Sequence, residues 1–90
     1  MNDNERYLVR DRIIKLLKIE WPGETASLTL DENTPVFYEG IGLDSVDGAT
    51  LLFALEDEFD IEVEKEALGQ AHFKTIGSLT EFILSLEIFK

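Results

Sequence analysis

Residues 45–59, SVDGATLLFALEDEF, constrain the fold of this chain more than any other stretch. Val46, Ala49, Leu52 or Phe53, Leu55 and Phe59 recur at three- and four-residue steps, which makes one wide apolar stripe at the helical period. Asp44 is placed to cap this helix by accepting a backbone N–H, and Asp47 adds negative charge to the first turn, so the helix is expected to begin at Asp44 or Ser45. Gly48 runs against the pattern, at about 1 kcal/mol relative to alanine. Glu56, Asp57 and Glu58 close the helix before Phe59-Asp60.

Two further helices read from the same period. Over residues 5–19, Leu8 or Val9, Ile13, Leu16 and Leu17 face one way, with Arg6, Arg10, Arg12, Lys15 and Lys18 mostly opposite. Trp21-Pro22-Gly23 stops that helix, because a residue before proline is driven from the helical region. The last helix carries Ile76, Leu79, Ile83 and Leu86 on its inner face. Ser78-Leu79-Thr80-Glu81 matches a capping box, whereas Thr75 is the better cap if Ile76 is already helical. Residues 64–70 are expected to form one short helical turn ended by Gly69.

Between Glu24 and Asp44 no helical period persists, since Thr25, Ser27, Thr29, Asp31, Asn33, Thr34 and Pro35 interrupt it. Leu28, Leu30, Val36, Phe37, Ile41 and Leu43 give this long segment apolar anchors, so it is expected to pack across the helices; Ser27 to Leu30 admits a weak strand reading. The expected fold is all-α: a small antiparallel four-helix bundle, three longer helices and one short, with a long loop between helices 1 and 2. Ninety residues make one domain, 1–90.

Composition narrows the function. The chain has no cysteine, which removes disulfides, thiolate metal sites and cysteine nucleophiles. Its N-terminus is charged and it has no run near the eighteen apolar residues of a spanning helix, so a soluble cytoplasmic protein is expected. The net charge is −11; residues 1–18 hold five of the eight basic residues and sum to +2, leaving −13 on residues 19–90. Such a surface argues against nucleic-acid phosphates and anionic membranes, and favours partners with basic patches.

Ser45 is the residue best placed for chemistry. As a catalytic nucleophile it would need a base, and His72 is the only histidine. Its setting, Leu43-Asp44-Ser45-Val46-Asp47, is unlike a Gly-x-Ser-x-Gly elbow, so a hydrolase is not expected. No metal site is expected either: an EF-hand begun at Asp44 would put Val46 at its third position and glycine at its fifth, and no register works. Read alone, Ser45 is also an ordinary helix-cap residue.

The wider pattern resembles the acyl and peptidyl carrier proteins. Gly42-Leu43-Asp44-Ser45 precedes an apolar helix, Leu55-Glu56-Asp57-Glu58-Phe59 closes it, Ile61 and Val63 follow, and Thr75-Ile76-Gly77-Ser78-Leu79 opens the last helix, in the order that family shows. The resemblance covers residues 28 to 86. It implies a four-helix carrier, not an enzyme, with Ser45 as the attachment site of a phosphopantetheine arm taken from coenzyme A. Asp44 matches the aspartate that helps present the serine to a separate, magnesium-dependent phosphopantetheinyl transferase. The cargo would be an acyl thioester in fatty-acid, polyketide or related lipid synthesis. A peptidyl or aminoacyl carrier shares the serine motif, and an unmodified acidic helical adaptor with Ser45 as a cap remains open.

The same resemblance implies docking residues and a cargo pocket. Asp47, Glu56 and Asp57 would meet Arg or Lys on the transferase and on acyl-processing enzymes, and Val46 would face the same partners. Phe53, Leu55, Phe59, Ile76 and Leu79 would be wall residues of an interior that opens for an acyl chain; a monomer is expected. The chain departs from the family at Val46, where leucine is usual, at Gly48 and Thr50, and through Tyr38-Glu39-Gly40-Ile41-Gly42. These departures point to a specialised carrier.

Overall fold

Helical period becomes helix at the stretches where it was strongest. The structure, a computed structural model, describes residues 3–64, 66 and 71–88. Helix α1 is Asp3–Glu20, α2 the four-residue Pro22–Thr25, α3 Ser45–Phe59 and α4 Ile76–Ile88, with a 3₁₀ turn at Ala71–Phe73. The fold is an all-α bundle of three long helices and one short one. The described residues form no strand, Ser27 to Leu30 included, and only two isolated bridge pairs, Pro35 with Thr75 and Phe37 with Leu43.

A short helix follows α1 directly. Trp21-Pro22-Gly23 does end α1, at Glu20, and Pro22 also opens α2, because its fixed φ and missing N–H suit a first helical position. Thr25 Oγ1 donates to the Trp21 carbonyl at 2.8 Å and helps close the turn. The expected turn over 64–70 lies mostly outside the described residues.

One core joins the three long helices. Val9, Ile13, Leu16 and Leu17 of α1 meet Leu51, Leu52, Leu55 and Phe59 of α3 and Ile76, Leu79, Ile83 and Leu84 of α4. Each aliphatic side chain withdrawn from water contributes about 1.5–3 kcal/mol. Where the period left a choice, Val9 is buried and Leu8 exposed; Leu52 is 3% exposed and Phe53 62%.

The long segment after α2 does pack across the helices. Val36, Ile41 and Leu43 are buried in the same core. Its backbone also completes α4, whose first amides have no partner within the helix. Ile76 N donates to Thr34 O at 3.1 Å, and Gly77 N to Glu32 O at 2.8 Å. Arg6 of α1 pairs with both Glu32 of the segment and Glu81 of α4, clamping three parts of the chain. The cap of α4 is Thr75: its Oγ1 accepts from Ser78 N and Ser78 Oγ accepts from Thr75 N, each at 3.0 Å. The box expected at Ser78 to Glu81 therefore does not form.

Candidate functional site

Ser45 is the first residue of α3, and the residue before it does the capping. Asp44 has extended backbone, φ −106° and ψ −174°, and its Oδ1 accepts from both Val46 N and Asp47 N at 3.0 Å. Asp47 Oδ2 accepts in return from Asp44 N at 3.2 Å, which completes a capping box built from two aspartates. Asp47 is held a second way, because Trp21 Nε1 donates to its Oδ1 at 3.3 Å. The buried indole thereby ties the end of α1 to the first turn of α3. The sequence showed Trp21 as a helix stop and carried no signal for this partner 26 residues away.

With those amides satisfied, Ser45 is left free. Its side chain is exposed, and its hydroxyl makes no hydrogen bond among the described residues. The reading of Ser45 as a cap is thus replaced: Asp44 caps. His72 is engaged elsewhere, its ring stacked on Phe82 with centroids 4.8 Å apart. Among the described residues no group of three or more His, Cys, Asp or Glu is placed to hold a metal ion. Among the described residues no helix is long and apolar enough to cross a membrane. Ser45 thus presents a solvent-facing hydroxyl on the first turn of a helix capped by its neighbours.

The turn leading into the site is tightly wound. Gly40 and Gly42 have φ of 61° and 81°, and a Cβ at Gly40 would stand 2.3 Å from Pro35 O. Tyr38 also has positive φ, 63°, which costs a residue with a Cβ roughly 1–2 kcal/mol. Tyr38 N donates to Leu43 O at 2.9 Å, and Leu43 N to Val36 O at 3.0 Å, so the turn closes directly onto the residues before Ser45.

A family model described as "Phosphopantetheine attachment site" matches residues 8–83 of this chain. The chain belongs to that family. Among curated proteins it is similar to an acyl carrier protein of Caulobacter vibrioides (strain NA1000 / CB15N), 40% identical over 47 residues that cover 52% of this chain and 58% of the relative. An acyl carrier protein of Phenylobacterium zucineum (strain HLK1) is 40% identical over 47 residues, covering 52% and 57%. A mitochondrial acyl carrier protein of Saccharomyces cerevisiae is 37% identical over 49 residues, covering 54% and 38%. The match thus spans less than two thirds of the length of these relatives. No solved structure matches.

Membership makes phosphopantetheine the group to be tested against this site. The exposed Ser45 hydroxyl fits a covalent attachment point. The amides of Val46 and Asp47 are already taken by Asp44, so a phosphodiester would find its partners outside those two donors.

The residues expected to dock partners divide into two kinds. Val46 is 75% exposed and Asp57 is exposed as well. Asp47 is half-buried in the capping box, and Glu56 Oε2 accepts from Val63 N at 2.9 Å. Two of the four carboxylate or apolar candidates therefore also hold the fold. Of the expected pocket residues, Leu55, Phe59, Ile76 and Leu79 lie together in the core. Phe53 does not join them. It turns outward into an open groove of about 780 Å³ between α1 and α3, beside Leu16, Ile19 and Ala54. The cause is the width of the stripe: α3 buries Leu51 and Leu52 in succession, and that places Phe53 past its edge.

Proposed function

We propose that this protein is an acyl carrier whose working form bears a phosphopantetheine arm on Ser45. The observation that carries the reading is the hydroxyl of Ser45, exposed and unbonded at the start of a helix that Asp44 and Asp47 cap without it. In the loading reaction, Ser45 Oγ attacks the coenzyme A phosphorus nearest pantetheine. The diphosphate P–O bond breaks, adenosine bisphosphate leaves, and the serine proton passes to a base on the transferase. The arm supplies a thiol, on which cargo is held as a thioester; this chain has no thiol of its own.

The chain's own residues present the serine and do not catalyse. Asp44 and Asp47 fix the first turn, and Trp21 braces Asp47. Exposed Val46 and Asp57 face the transferase and acyl-processing enzymes, whose docking surfaces are basic. Leu55, Phe59, Ile76 and Leu79 would part to admit an acyl chain, and lipid synthesis is the process served.

The test is intact mass after incubation with coenzyme A, magnesium and a broad-specificity phosphopantetheinyl transferase. A gain of one phosphopantetheine that Ser45→Ala abolishes is expected. An unmodified chain under conditions that load a control carrier would leave an acidic adaptor as the reading.

A further inference from the structure

Tyr38 occupies a position that opposes its residue type twice over. Its backbone is left-handed, φ 63°, a conformation in which glycine or asparagine is at ease and a β-carbon is crowded. Its side chain is 75% exposed, so burial returns little for that strain. Its neighbour ring is Phe37, tilted at 47° with centroids 6.4 Å apart. Strain held in an exposed residue is the pattern expected where a side chain serves recognition and not stability.

The backbone of Tyr38 is also tied to the residues that lead into the serine. Tyr38 N donates to Leu43 O, two residues before Ser45, and Ile41 N donates to Pro35 O at 3.0 Å behind it. Val46, directly after Ser45, is as exposed as Tyr38. Two exposed apolar side chains therefore flank Ser45 along the chain, one on the preceding turn and one on the helix. Exposed Glu39 and Asp44 lie in the same stretch and edge it with negative charge.

We propose that Tyr38, with Val46, forms an apolar docking patch for the enzyme that loads Ser45, and that its counterpart is an apolar recess edged by Arg or Lys. The proposal rests on Ser45 being the loading site. An enzyme that bonds to Ser45 Oγ must come within touching distance of its surroundings, and an aromatic anchor amid acids suits a recess of that chemistry. The Tyr38 contribution is apolar, so salt screens it little, unlike that of the nearby carboxylates.

Loading kinetics with coenzyme A, magnesium and a phosphopantetheinyl transferase test this on Tyr38→Asn, Tyr38→Gly and Tyr38→Phe, beside thermal melts. The Asn and Gly variants are expected to melt no lower than the parent and to lose roughly tenfold in kcat/KM, chiefly through KM and at high salt as well as low. Tyr38→Phe is expected to keep most of the rate. Parent-like kcat/KM in both the Asn and Gly variants overturns the patch while leaving Ser45 loading intact. Lower melting of both, with losses tracking the unfolded fraction, also overturns it, in favour of a structural role. Failure of the parent chain itself to load overturns the carrier reading and the patch with it.

Discussion

At Asp44 one carboxylate oxygen takes two backbone N–H groups of α3, while the neighbouring Ser45 hydroxyl takes none. The two residues should therefore separate under mutation. Asp44→Ala is expected to lower unfolding free energy by about 1 kcal/mol, the usual worth of an N-cap, and Ser45→Ala to stay within about 0.5 kcal/mol of the parent in urea titrations. A Ser45→Ala loss as large as that of Asp44→Ala would return the cap to Ser45. Trp21→Phe removes the N–H to Asp47 and also one ring of a buried indole, so a loss of about 1–3 kcal/mol is expected, together with slower loading of Ser45. The cap and the serine were legible because Asp and Ser side chains act on amides two or three residues away. The indole bond was not, because no local spacing encodes a partner that arrives through folding.

Among the elements, α3 and α1 were legible nearly to their ends because apolar period and cap reside in the segment itself. The start of α4 was ambiguous between Thr75 and Ser78, and only the reciprocal bonds of those two residues decide it. The loop's part in finishing α4 was hidden, since Thr34 and Glu32 lend carbonyl oxygens, which every residue possesses. Gly77 records that close approach: a Cβ there would lie 2.8 Å from Glu32 O. Gly77→Ala should push the loop off the helix start and cost on the order of 1–3 kcal/mol by calorimetry or denaturant melts. A variant as stable as the parent would mean that the loop yields without penalty.

Over the whole molecule, acids offset much of the basic start of the chain. Arg6 is taken by Glu32 and Glu81, and Arg12 by Glu58 at 2.9 Å while it lies over the Phe59 ring at 4.3 Å. The remaining acids dominate, and exposed Asp57 is the carboxylate among the expected docking residues that makes no hydrogen bond or ion pair among the described residues. Asp57→Lys is expected to slow loading several-fold at low salt and to approach the parent rate at high salt, with stability unchanged. Glu56→Lys should slow loading and also destabilise, since it loses the Val63 N–H. A rate for Asp57→Lys equal to the parent at low salt would remove that residue from docking. The sequence by itself determined three long helices, the Asp44 cap, the place of Ser45 at a helix start and the acidic balance, because each depends on spacing within one turn or on composition. Tertiary structure alone decided that Phe53 faces out while Leu52 faces in, that Trp21 braces Asp47, and that the long segment caps α4. A helical stripe defines a face but not its edge, and a hydrogen bond across the fold exists only once packing has brought its two ends together.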